Sequence, residues 1–271
     1  MKSDVRWVGF DMDECIGSVM PLSEFIHELR DDNFLQFLDE IYESEITGRT
    51  WIFRPAIIKV LRQLWSAYKR SAIQGAFIFS NNGSERLVKT VMALLNHFIQ
   101  RIFSLDYPVE VFQMGIHYSA SCRRRFGDIK SYEVIQHCLS EHNLPLCTSL
   151  EDLLFFDDLE HVLQSQIPHY VRVPPYLNHT DVSVLADALL LFGQTQEDWN
   201  DLVEMAVKTQ QQELREKGNQ YVLSPQDPDA VAEDEAMFRK SFQDFLGTGK
   251  FSRINRKTAR PGKTRKMRRR L

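Results

Sequence analysis

Two aspartates separated by a single residue, Asp11 and Asp13, end the apolar run VRWVGF and open the segment DMDECIG. Carboxylates at this spacing point the same way only while the backbone stays extended, and like charges that close raise each other's pKa unless a cation lies between them. The pair therefore asks for a metal ion. A plainer alternative, an acidic loop after a strand, is not excluded by a lone Asp-x-Asp. Three later stretches shift the balance. AFIFSNN puts Ser80 at the end of a second apolar run, Lys130 precedes SYEVIQHCLSEH, and LLFFDD ends a third run in Asp157 and Asp158.

The runs that carry these residues read as buried strands. Val5, Trp7, Val8, Gly9 and Phe10 suit the first, because β-branched and aromatic side chains pack well on a pleated surface. Helical patterns lie between the runs. Residues 22–46 place Phe25, Ile26, Leu29, Phe34, Phe37, Leu38 and Ile41 at spacings of three and four. Pro55 opens a helix to about Arg70, with Ile57, Leu61, Leu64 and Trp65 on one face. Ser84 suits the cap of a helix over 84–100. Further strands are expected at 109–117 and 168–174, with a basic loop SCRRRFGD leading to a helix over 131–142. This alternation predicts an α/β fold with a mostly parallel sheet covered by helices on both faces. Ligands of such sheets lie at the strand C-terminal ends, where Asp11, Ser80 and Asp157 all fall.

A chain of 271 residues with 43% hydrophobic content can bury one sizeable core. No run reaches membrane-span length and MKSDVRWV lacks the apolar region of a secretory signal, so an intracellular protein, cytoplasmic or nuclear, is expected. Cys15, Cys122, Cys138 and Cys147 show no CxxC spacing, which fits a reduced compartment. The eight histidines fall at no metal-ligand spacing. No glycine-rich phosphate loop or dinucleotide fingerprint is present, which argues against a kinase or dehydrogenase.

Taken together, Asp11 and Asp13 in GFDMDEC, Ser80 ending AFIFS, Lys130 opening a helix, and Asp157 with Asp158 ending LLFFDD resemble the four ordered motifs of the haloacid dehalogenase-like (HAD) superfamily. The resemblance covers residues 5 to about 175. Cys15 departs from it, standing where the family usually has Thr or Val, and a buried Cys is more often packing than chemistry. The resemblance implies a Rossmann-like three-layer sandwich: a catalytic domain over 1–194, with a small helical cap insertion at about 18–53. It further implies a Mg²⁺-dependent phosphatase working through an aspartyl phosphate. Asp11 would be the nucleophile. Asp13 would protonate the leaving oxygen and later activate water, a role that favours a raised pKa. Ser80, with turn amides from Asn81 and Asn82, would hold a phosphoryl oxygen. Lys130 would neutralise charge between Asp11 and the phosphate, with Arg123, Arg124 and Arg125 as rivals or as extra substrate contacts. Mg²⁺, a hard cation taking oxygen ligands, would be held by Asp11, Asp157 and the Asp13 carbonyl, with Asp158 binding through water or orienting the site. A small cap implies an open cleft suited to a phosphoprotein or other large phosphoester. WIFRPAIIKVLRQL also resembles the Arg-Pro-Gly helix start of the RNA polymerase C-terminal-domain phosphatase-like (NLI-interacting-factor-like) branch, with Ala56 in place of the glycine.

Residues 195–249 read as a helical extension and acidic linker: a long helix from QEDWNDL, a linker NQYVLSPQDPDAVAEDE, and a short amphipathic helix AMFRKSFQDFLGTG. Residues 250–271 hold 11 of the 33 Lys and Arg and no acid, leaving 22 basic against 37 acidic residues, a net −15, on residues 1–249. Such a tail is predicted to be disordered when alone and suits nuclear targeting or nucleic acid. A non-catalytic HAD-fold module that binds nucleic acid or a protein partner through the tail is thus the alternative to an enzyme. If the tail binds a duplex, log affinity falls with log salt at roughly 0.9 per phosphate contact, and deleting 250–271 abolishes binding. Titration of labelled DNA and RNA at several salt concentrations checks this, and equal affinity of the two proteins refutes it.

Overall fold

Trp7–Phe10 (β1) is buried along its whole length because it is paired on both sides. Gly75–Phe79 (β2) runs parallel on one side and Leu153–Asp157 (β4) parallel on the other. Phe112–Ile116 (β3) extends the sheet beyond β2, and His169–Arg172 (β5) extends it beyond β4, giving five parallel strands in the order β3-β2-β1-β4-β5. This computed structural model describes residues 5–26, 33–48, 52–117, 120–126, 129–176 and 227–248, with scattered positions between 200 and 212. The basic tail lies outside the described residues, as does most of the expected long helix after 195.

Side chains alternate across the sheet and make two cores. Val8, Phe10, Ala76, Ile78, Leu154 and Phe156 face one side. Trp7, Phe77, Phe79, Leu153 and Phe155 face the other. Gly9 lies between two phenylalanines of the second set, and a Cβ there would come within 2.5 Å of Phe77 and 2.4 Å of Phe155. Glycine at the centre of β1 is what lets both rings close over it.

The first face is covered by Met20–Ile26 (α1), Phe34–Ile46 (α2), Pro55–Lys69 (α3), Glu85–Ile102 (α4) and a late helix introduced below. The second is covered by Ser121–Phe126 (α5), Tyr132–Glu141 (α6) and Val162–Gln166 (α7). Helices on both faces of a parallel sheet are the architecture that the sequence predicts. Ser84 caps α4, its hydroxyl accepting from Leu87 N at 3.2 Å, and Ser131 caps α6 by accepting from Val134 N. In the place of the expected cap, α1 and α2 bury Leu22, Phe25, Ile26, Phe37, Leu38 and Ile41 in the first core, and Tyr42 of α2 packs edge-on against Phe98 of α4.

Three expectations need correction. SCRRRFGD is not all loop, because 121–126 is helical; arginine is a good helix former, and Arg124 N donates to Ala120 O to close the turn. The four cysteines are not all thiols: Cys15 and Cys147 are free and buried, but Cys138 is disulfide-bonded.

The third correction is the acidic linker. Its DPDAVAEDE portion belongs to one continuous helix with AMFRKSFQDFLGT, Pro228–Thr248 (α8). Asp227 caps it, accepting from Asp229 N and Ala230 N at 3.1 Å, and Pro228 suits the first turn. From this helix Phe238, Phe242 and Phe245 enter the first core, and Phe238 stacks on Phe156 of β4 at 4.6 Å between ring centroids. Among the described residues no helix is long and apolar enough to cross a membrane. Phe238→Ala should cost about 3–5 kcal/mol of unfolding free energy, as buried Phe truncations do. Urea denaturation checks this, and a loss near zero would mean that α8 does not hold to the sheet.

Candidate active site

The C-terminal edge of the parallel sheet gathers residues from the ends of three strands. Asp11 follows β1 and continues its ladder by donating its N–H to Phe156 O at 2.8 Å. Asp157 closes β4, Asp158 follows it, and Ser80 follows β2 with its N–H on Ile116 O at 2.8 Å. Lys130 comes from the other side of the sheet, one residue before the α6 cap. Its backbone is fixed there, since its carbonyl accepts from Leu163 N at 3.1 Å.

Lys130 is the centre of the arrangement. Its ammonium is 1% exposed, ion-paired with Asp11 Oδ1 and hydrogen-bonded to Asp157 Oδ2 at 3.0 Å. The rings of Phe79 and Phe155 lie 5.9 and 5.8 Å from Nζ, where aromatic faces favour a cation. Asp11, Asp157 and Asp158, all buried, each bring a carboxylate oxygen within 4.8 Å of the others.

The remaining candidates divide. Asp13 is half-buried, and the Ser80 hydroxyl lies 3.5 Å from its Oδ2. The Asp13 carbonyl accepts from Cys15 N at 2.7 Å. Ser80 Oγ also accepts from Asn82 N at 2.9 Å, so one of the two expected turn amides points at the expected hydroxyl. The Asn82 side chain serves the turn instead, its Oδ1 accepting from Ser84 N at 2.7 Å and its amide donating to Met20 Sδ. Asn81 is exposed beside it. Arg124 and Arg125 are exposed on α5. Arg124 lines a groove of about 440 Å³ with Glu85, Lys89 and His117, and Arg125 packs on the Phe126 ring. The described contacts put neither beside the carboxylates. The Arg123 side chain lies outside what is described. Cys15 is fully buried, and burial pushes its thiol well above the ordinary range, so it packs and does not react.

Some neighbours carry no sequence signal. His161 Nε2 approaches Asp157 Oδ2 at 3.6 Å, and Tyr170 donates to Leu159 O at 2.5 Å, next to the acidic pair. Arg54, noticed in the sequence only as part of a helix start, is wholly buried behind the Asp13 turn.

Electrostatics follow from burial. Desolvation, opposed by Lys130 and reinforced by Asp157, pushes Asp11 up to about 6. Desolvation with Asp11, Glu14 and Asp157 nearby pushes Asp158 up to about 8. Burial works against the Lys130 charge, but Asp11 and Asp157 outweigh it and raise the ammonium above its ordinary value. Three buried carboxylates facing one ammonium leave a surplus of negative charge, and all-oxygen donors of this kind suit a hard divalent cation such as Mg²⁺.

No family model matches the chain, and no curated protein matches it significantly. Among solved structures it is similar to a HAD-superfamily hydrolase, subfamily IA, variant 1, from Geobacter sulfurreducens PCA, at 16% identity over 67% of this chain and 99% of that one, with a TM-score of 0.32.

The raised carboxylates make a measurable prediction. Between about pH 4 and pH 8 the folded chain holds protons on Asp11 and Asp158 that the unfolded chain has released, so these groups make stability fall as pH rises through about 6 and about 8. Other carboxylates titrate too, so the comparison is with Asp158→Asn, whose melting temperature should fall less between pH 5.5 and 8.5. Mg²⁺ at 100 times its pH 8 dissociation constant should add about 2.7 kcal/mol at pH 8, and the same concentration should add less at pH 5.5. Thermal melts with Mg²⁺ and with chelator decide it. Identical curves for wild type and variant refute the charge surplus.

Proposed function

We propose that this chain is a HAD-type phosphoric monoester hydrolase working through an aspartyl phosphate on Asp11. The observation that supports it best is the buried Lys130 bridging Asp11 and Asp157, with the Ser80 hydroxyl 3.5 Å from Asp13 Oδ2 at the same edge of the sheet. A phosphoryl group needs a nucleophile in line, positive charge on its oxygens and an acid for the leaving group, and these five residues supply that set.

In the first half-reaction an Asp11 oxygen attacks phosphorus, the bond to the leaving oxygen breaks, and Asp13 gives that oxygen its proton. In the second, Asp13 takes a proton from water as the water oxygen attacks phosphorus, and the bond to Asp11 breaks to release phosphate. Lys130 keeps Asp11 ionised and offsets charge on the phosphoryl oxygens, while the Ser80 hydroxyl donates to one of them. Asp11, Asp157, Asp158 and the Asp13 carbonyl would hold Mg²⁺, which supplies charge stabilisation to the phosphoryl oxygens when bound. The substrate class we favour is a phosphoprotein or other large phosphoester, because α1 and α2 are packed down on α4 and form no large lid.

With Mg²⁺ the protein should hydrolyse an aryl phosphate. Asp11→Asn should reduce this to background, and Asp13→Asn should slow it about 10²–10⁴-fold, the usual worth of a positioned acid–base group, with metal affinity largely kept. Steady-state kinetics and a metal titration test both. Undiminished turnover in Asp11→Asn would remove Asp11 as nucleophile.

A further inference from the structure

The turn that carries Asp13 is held in a conformation it would not adopt unaided. Glu14 has φ 62°, the left-handed region that side chains other than glycine avoid. Such a backbone persists only where its surroundings over-determine it. Four hydrogen bonds do this. Glu14 N donates to Gly17 O at 2.8 Å, Tyr176 N donates to Glu14 O at 2.8 Å, and Arg54 donates from Nη2 to Glu14 O and from Nε to Cys15 O, both at 2.8 Å.

Arg54 is therefore the side chain that grips this turn, and it is 0% exposed. A guanidinium cannot stay buried without a counter-charge. Asp234 of α8 supplies it, with Oδ1 at 2.5 Å from Nη1 and a side chain 2% exposed. The same Nη2 also donates to Pro174 O, and the rings of Tyr176 and Phe238 flank the guanidinium at 5.7 Å. At the far end of α8, Arg6 donates to Phe245 O at 3.0 Å just before β1 begins. The helix is thus fastened to both ends of the strand that delivers the two aspartates.

We propose that Arg54 and Asp234 are a positioning pair for catalysis: through them α8 sets the Asp13 turn, so the C-terminal helix is part of the catalytic apparatus and not an appendage. This rests on the phosphatase reading above. Neither residue touches the reacting atoms; both act through the backbone of Glu14 and Cys15.

The test uses the full chain with Mg²⁺ and two substrates, 4-nitrophenyl phosphate, whose leaving group departs without help, and phenyl phosphate, whose leaving group needs a proton from Asp13. Asp234→Asn leaves Arg54 in place but removes its counter-charge, which should loosen its hold on the turn. Arg54→Lys keeps the ion pair but cannot span the turn carbonyls. Both should lower kcat with KM little changed, and by about tenfold more on phenyl phosphate, because a misplaced acid is felt most where protonation matters. Lys59→Met, which breaks the exposed ion pair between α3 and Glu235 of α8, should change neither substrate. Equal losses on both substrates would overturn the proposal, since plain destabilisation lowers both together. A wild type inactive on both substrates would sink the phosphatase reading instead. Hydrogen exchange of the Glu14, Cys15 and Ile16 amides then decides the positioning claim alone: faster exchange in Asp234→Asn supports it, and unchanged protection refutes it.

Discussion

An ammonium held between two carboxylates in a dry pocket sets the terms for the rest of this molecule. Lys130 is stable at 1% exposure only because Asp11 and Asp157 face it, and those two acids, with Asp158, are stable that close together only because the ammonium is there. Neither half is viable without the other. The balance is still incomplete, because one ammonium faces three carboxyl groups, two of which burial already pushes toward their protonated forms. A divalent cation would complete it, and in the phosphatase proposed above that cation would in turn draw a phosphoryl group.

The sheet serves this cluster directly. β1 and β4 are neighbours in register, with Phe10 opposite Phe156, so Asp11 and Asp157 emerge from adjacent strand ends. On the second face, Phe79 and Phe155 form the aromatic floor beneath the ammonium, and Phe155 approaches Phe77 over the gap that Gly9 leaves. A change at Gly9 would therefore reach the site through packing. Core and chemistry share side chains here.

What the sequence made legible was local. The strands, the acids that end them and the cap at Ser84 are each written within about ten residues, and the alternation of strand and helix carries the parallel sheet. Choosing Lys130 over Arg123, Arg124 and Arg125 needs the tertiary fold, because only the packing of α5 shows Arg124 and Arg125 turned to solvent while Lys130 lies beneath. The role of α8 was hidden for a similar reason. Asp227, Pro228 and the spacing of Asp234, Phe238, Phe242 and Phe245 were readable as a capped amphipathic helix, yet two prolines in an acidic stretch suggest a linker first. Its partner Arg54 lies 180 residues earlier, a separation at which no local pattern speaks.

The two buried cations also show how one fold uses charge for opposite ends. Arg54 spends its fork on four acceptors, the carbonyls of Glu14, Cys15 and Pro174 and the Asp234 carboxylate. With four of its five donor positions engaged, it has little left to offer a ligand, and its rigid plane suits the fixing of backbone. Lys130 has three donors and meets two carboxylates, so its third is available to an incoming oxygen. A flexible ammonium can also follow that oxygen as charge shifts from one bond to another. Rigid geometry lies under the turn and adaptable charge lies at the cluster, and the phosphatase proposed above would need that division, to hold Asp13 still while a phosphoryl group moves.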